Sequence, residues 1–111
     1  MNIRCDDYDH VSVLSVSGEF NAEATDAFRA QVETRLEKKV RFFVVDLQQT
    51  TFMDSKGLET LVWVQEQCDE RLGTVRLCNP DETCKKILQV TRLDSRFDMF
   101  ADVAEAVKTM R

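Results

Sequence analysis

Proline, glycine and histidine are scarce in this chain, and each shortage excludes something. One Pro and three Gly in 111 residues leave no room for a low-complexity linker or tail. Gly18, Gly57 and Gly73 are also too few and too scattered to build a phosphate-cradling Gly-rich loop. The single His, His10, cannot combine with Cys5, Cys68, Cys78 and Cys84 into a zinc set, because no Cys-x-x-Cys pair exists and the spacings are wide. The thiols are expected to be reduced and buried. No apolar run approaches the ~20 residues of a membrane span. The first seven residues lack the apolar centre of a signal peptide, so the expected location is the cytoplasm, with no insertion into a membrane. Basic charge is in deficit, with 15 Lys and Arg against 20 Asp and Glu and a net charge of −5. No basic stretch can displace counterions from phosphates, so direct nucleic-acid binding is excluded as a general function. A protein partner with a basic contact face fits that charge.

What is present reads as one α/β domain over residues 1–111: 43% apolar and 32% charged residues in a length suited to a single core. Ile3 and Cys5 alternate with polar neighbours, residues 6–9 suggest a hairpin turn, and residues 10–16 form a second strand that Gly18 ends. Asn21 is a helix N-cap, and Ala24, Phe28, Val32 and Leu36 recur at helical spacing behind it. Residues 40–47 form a nearly apolar central strand. A helix over about residues 55–70 buries Leu58, Leu61, Val62 and Cys68, with Trp63 and Val64 either widening that stripe or forming a patch outside it. Residues 74–78 form a strand, Asn79-Pro80-Asp81 stops and restarts the chain, and Cys84, Ile87, Leu88 and Thr91 follow helical spacing. A short edge strand at 97–100 and an amphipathic helix through Val103, Ala106, Val107 and Met110 complete the order β-β-α-β-α-β-α-β-α. After the opening hairpin, strands alternate with helices, which implies parallel pairing with right-handed crossovers.

Residues 42–58 say most about function. An apolar run stops at Asp46, a short polar turn follows, and Phe52-Met53 leads into Asp54-Ser55-Lys56-Gly57 ahead of a helix. One hydroxyl, Ser55, therefore sits where the first helical N–H groups lack partners and the helix dipole favours negative charge. A phosphate there would be held. The plain alternative is that Ser55 is only an N-cap, worth about 1 kcal/mol. Gly57 tilts that balance. Glycine in a first turn costs stability relative to Ala, which makes sense if another surface comes close or the turn needs unusual dihedrals. Nothing equips Ser55 as a nucleophile: the Gly-x-Ser-x-Gly elbow is missing, His10 is remote in sequence, and Asp54 is an immediate neighbour. The acidic clusters (Asp6, Asp7 and Asp9; Asp69 and Glu70; Asp81 and Glu82) lie at turns and helix starts, where capping and solvation explain them. Neither enzymatic activity nor an obligate cofactor or metal is expected.

The whole arrangement resembles a STAS domain, the fold of bacterial anti-sigma factor antagonists. Gly18-Glu19-Phe20-Asn21 is similar to the family's Gly-x-Leu-Asp lead into the first helix. Val44-Val45-Asp46-Leu47, followed by residues 52–58, matches its core signature. Leu77-Cys78-Asn79-Pro80, Leu93, Phe97 and Glu105-Ala106 fit the later pattern more loosely. The resemblance implies a mixed sheet of about five strands, an N-terminal hairpin followed by parallel βα units, with about four helices mainly on one face. It implies phosphorylation of Ser55 by an anti-sigma factor that is a serine kinase of histidine-kinase-like ATPase fold. The unphosphorylated antagonist binds that factor, phosphorylation releases it, and a metal-dependent serine phosphatase resets the switch. The implied partner-binding residues are Asn21, Asp54, Ser55, Lys56 and Gly57. Two positions depart from the family: Asn21 replaces a frequent Asp, and Lys56 replaces a small residue. Lys56 reads as an exposed, solvated lysine, with compensation of phosphoserine charge as the alternative. The second functional reading is a stand-alone STAS adaptor subunit of a membrane transport assembly, without phosphorylation.

Overall fold

A computed structural model describes residues 2–110, so the two end residues of the expected 1–111 domain lie outside the described residues. The elements follow the chain as β1 (Asn2–Tyr8), β2 (Val11–Phe20), α1 (Ala22–Glu37), β3 (Phe42–Asp46), β4 (Thr50–Met53), α2 (Ser55–Glu70), β5 (Thr74–Cys78), α3 (Glu82–Val90), a 3₁₀ turn at Leu93–Ser95, β6 (Asp98–Phe100) and α4 (Val103–Lys108). The sheet runs β1-β2-β3-β5-β6, and β4 joins it only through β2. The β1–β2 hairpin is antiparallel and every other pairing is parallel. The mixed α/β architecture expected from the sequence is therefore present, with six strands rather than about five.

Strand alternation divides the side chains between two cores. On one face Leu14, Val16, Phe43, Val45 and Leu77 meet Phe28 and Val32 of α1, Leu61 and Val64 of α2, and Cys84 and Leu88 of α3. On the other, Val11, Val13, Val44 and Cys78 meet Ala106 and Met110 at α4. Three of the four helices thus share a face, as the sheet's apolar pattern on both sides demands. Arg76 fastens α4 by donating to Ala106 O at 2.9 Å and Thr109 Oγ1 at 2.6 Å while its guanidinium stacks over Phe100. The four thiols are unbridged. Burial pushes Cys68, Cys78 and Cys84 up to about 12, as inert thiols of the core. Cys5, expected to be buried with them, is only partly buried on β1, where burial raises it as well.

Two boundaries and one buried stripe differ from the sequence reading. The hairpin turn is only Asp9-His10, with Asp9 left-handed at φ 59°, and Asp6 to Tyr8 belong to β1. Asp7 reads as a turn residue, but its carboxylate is engaged by the buried Ser12 hydroxyl. Gly18 does not end β2. It bends the strand at φ 91° within a register shift, so that β2 leaves β3 and continues alongside β4. In α2 the buried positions are Gly57, Thr60, Leu61, Val64 and Cys68. Leu58 and Val62 are only partly buried, on the flank of that stripe.

Asp7 links the hairpin to α1. Ser12 Oγ donates to Asp7 Oδ1 at 2.6 Å and Arg35 Nε donates to the same oxygen at 3.4 Å. The Ser12 hydroxyl, aided by Arg35 and opposed by partial burial, holds this carboxyl below its ordinary 3.8. Ionised Asp7 therefore stabilises the fold above that pH, and the contribution disappears as pH falls through the lower folded value. Asp7→Asn is expected to lower stability at pH 7 and to flatten its decline below about pH 4, the ordinary Asp range. Urea unfolding across pH 2–7, relative to wild type, measures both effects.

Candidate functional site

Parallel pairing of β4 with β2 sets Glu19 opposite Phe52 and Phe20 opposite Met53. The next residue on each strand begins a helix: Asn21 caps α1 and Asp54 caps α2. Two helix N-termini consequently lie side by side at one pole of the sheet. Asn21 Oδ1 accepts from Glu23 N at 3.1 Å and Ala24 N at 3.2 Å. Asp54 Oδ1 accepts from Gly57 N at 2.9 Å, and Asp54 N donates to Phe20 O at 3.2 Å. The structure thus brings Asn21, Asp54, Ser55, Lys56 and Gly57 to one place.

Their roles in the fold are unequal. Asp54 supplies the cap, which leaves Ser55 as the first helical residue, exposed, with no hydrogen bond to its hydroxyl among the described residues. The backbone N–H groups of Ser55 and Lys56 likewise have no acceptor there, so two donors of the α2 terminus remain open to an anion. The N-cap explanation of Ser55 fails because its neighbour fills that position. Lys56 is exposed, and its Nζ lies 3.5 Å from Glu59 Oε2, with both side chains about 60% accessible. Such a pair contributes roughly 0–1 kcal/mol. Gly57 is buried, and a Cβ there would stand 2.2 Å from Phe20 O. The surface that comes close is the protein's own β2 backbone.

A groove of about 540 Å³ begins at Ser55 and runs along α2, floored by Leu58, Val62 and Trp63 and bordered by Arg29 of α1 and Leu93. The Arg29 guanidinium lies over the Trp63 ring at 4.8 Å, a cation–π contact that also covers part of the indole. Beside the caps, Phe52 leaves 44% of its surface accessible. The sequence reading placed Leu58 and Val62 inside and did not select Phe52 or Arg29. The available signal was apolar surplus: residues 58, 61, 62, 63 and 64 of α2 cannot all face one core stripe. His10 lies elsewhere. Its Nε2 is 2.9 Å from Met110 O, its Nδ1 3.3 Å from Asp9 Oδ2, and it lines a different cavity from Ser55.

The division of labour at the caps gives a stability pattern. Asp54→Ala should cost about 1 kcal/mol through the lost cap, whereas Ser55→Ala should change stability by no more than about 0.5 kcal/mol. Gly57→Ala should cost about 1–3 kcal/mol or more, because a methyl must displace a strand carbonyl. Chemical denaturation of the three variants ranks them.

The STAS domain family model matches residues 2–106. Among solved structures, a Thermotoga maritima protein proposed to be an anti-sigma factor antagonist is similar at TM-score 0.90 and 24% identity, covering 98% of this chain and 94% of that one. The Bacillus cell-fate determinant SpoIIAA in its phosphorylated form is similar at TM-score 0.79 and 21% identity, with 99% and 100% covered. A sulfate transporter family protein from Wolinella succinogenes is similar at TM-score 0.80 and 16% identity, with 91% and 84% covered. At these identities the structural likenesses establish the fold. The family match, spanning nearly all of the chain, establishes that it belongs to the STAS domain family.

Proposed function

We propose that this chain, as one domain over residues 1–111, is an anti-sigma factor antagonist whose binding is switched by phosphorylation at Ser55. The observation that carries the reading is the state of Ser55: an exposed and unengaged hydroxyl, one residue inside a helix that another side chain already caps. A phosphate on this oxygen adds roughly −1.5 to −2 charges without removing any bond that holds the fold. It lies within reach of the open Ser55 and Lys56 N–H groups, and the α2 dipole stabilises it. For a docked protein the same charge is disruptive. It stands next to Asp54 and one turn from Glu59, at the mouth of an apolar groove, where desolvation and like-charge repulsion weaken binding.

In this reading the unphosphorylated protein binds a serine-kinase anti-sigma factor of histidine-kinase-like ATPase fold, and a serine phosphatase restores that form after phosphorylation. The contact surface comprises Asn21, Asp54, Ser55 and Lys56 together with Phe52 and the α2 groove, while Gly57 acts by permitting the close approach of β2. The protein itself is a cytoplasmic binding module rather than an enzyme. The imidazole of His10 is not placed to serve Ser55 as a base: it is engaged by Met110 O and Asp9 and lines a different cavity. Among the described residues, no helix is long and apolar enough to cross a membrane.

The second reading is an adaptor subunit of a membrane transport assembly. It is favoured by the structural likeness to a sulfate transporter family protein and by Asn21, which lacks the charge many antagonists carry. Incubation with the cognate kinase and ATP, followed by mass-spectrometric mapping, separates the two readings. Phosphate on Ser55 that is lost in Ser55→Ala, with about a hundredfold weaker partner binding by Ser55→Glu, is the expected result. Phosphate retained in Ser55→Ala would move the site elsewhere. Unchanged binding by Ser55→Glu would remove the switch.

A further inference from the structure

We propose that the outer edge of β1 is a self-association surface, at which a second copy of this chain pairs antiparallel about a two-fold axis through Cys5. β1 ends the strand order and pairs only with β2 among the described residues. Its seven residues, Asn2–Tyr8, contain no Pro, Lys or Gly, and their register with β2 is uninterrupted. Of the usual defences of an exposed edge, this one lacks brevity, proline, lysine and bulges, and charge is the one that remains. Its charges are Arg4, Asp6 and Asp7. Asp7 is already compensated by Ser12 and Arg35, which leaves the exposed Arg4 and the half-buried Asp6 on the opposite face, 3.0 Å apart.

The hairpin decides which backbone groups face outward. A two-residue turn makes Tyr8 and Val11 a hydrogen-bonded pair, and hydrogen-bonded pairs then alternate with non-hydrogen-bonded ones along the register. Arg4, Asp6 and Tyr8 direct their N–H and C=O groups at β2. Ile3, Cys5 and Asp7 direct theirs at the free edge. A second β1 must therefore match Ile3, Cys5 and Asp7 with the same set, which allows registers only in steps of two residues.

Among these registers the one centred on Cys5 alone overlaps the strand over its full length. It also sets Arg4 opposite the second copy's Asp6, and Asp6 opposite its Arg4. Both are non-hydrogen-bonded pairs, in which cross-strand side chains come closest. Sliding by one step either way puts Arg4 against Arg4 or Asp6 against Asp6, which is repulsive. Charge thus selects the register that backbone pairing also favours, and the resulting contact is isologous and closed. No β1 residue lines the Ser55 groove, so both grooves of the dimer stay open.

Charge reversal tests this directly. Wild type is expected to dimerise with rising concentration in sedimentation velocity. Arg4→Asp and Asp6→Arg should each weaken dimerisation about tenfold or more, because two attractive pairs become repulsive. An equimolar mixture of these two variants should recover the dimer, since opposite charges face each other again only between unlike chains. Wild type that stays monomeric at every concentration overturns the proposal. So does a pair of folded variants, verified by circular dichroism, that dimerise as wild type does or fail to associate when mixed.

Discussion

The carbonyl of Phe20 fixes the geometry on which the proposed site depends. It accepts from Asp54 N, and Gly57 approaches it so closely that no Cβ fits between. One strand end thereby holds the start of α2 through a hydrogen bond and a steric limit together. The Phe20 side chain is buried against Phe28 of α1 with ring centroids 5.0 Å apart, so the same residue anchors α1, and Asn21 follows it as the α1 cap. The position of Ser55 relative to Asn21 is therefore set by core packing and by a strand carbonyl. A close-packed interior resists displacement, and the exposed turn inherits that rigidity.

In the proposed reading this arrangement separates stability from signalling. The bonds that hold the α2 terminus run through Asp54 and Gly57, and the accessible hydroxyl belongs to Ser55, which neither bond uses. A residue that both capped the helix and carried the phosphate would exchange one acceptor for another, and modification would perturb the fold as well as the surface. In the proposed reading the phosphorylated residue is free of structural duty, so its charge acts on what docks against it.

The sequence makes much of this legible where one signal dominates. Helical spacing locates α1 and α4, the Asn79-Pro80-Asp81 break locates the start of α3, and the Asp54-Ser55-Lys56-Gly57 turn marks the pole where both helix caps meet. Legibility fails where tertiary context overrides local character. Thr50 looks like part of a polar turn, yet it is buried and donates to Val16 O at 2.7 Å, which is how β4 was hidden. Gly18 has the look of a strand end and is instead a bend inside β2. Leu58 and Val62 are apolar enough for the core, but Gly57, Leu61, Val64 and Cys68 already occupy the inward stripe, and the surplus forms the groove. The reason for Gly57 was open between a close approach and unusual dihedrals; only the position of the Phe20 carbonyl decides for the former.

Asn21 changes the electrostatics of the pole more than its capping. Its amide oxygen bonds two N–H groups of α1, so the cap is as complete as a carboxylate would make it, and the difference is one negative charge fewer beside Ser55. The α1 dipole then keeps more of its positive end exposed toward the α2 terminus. A phosphoserine at position 55 faces one neighbouring carboxylate cap, Asp54, where a second acidic cap would add repulsion. In the proposed switch, Asn21 thus eases the cost of carrying phosphate and weakens attraction for a basic partner, two effects that act on opposite states.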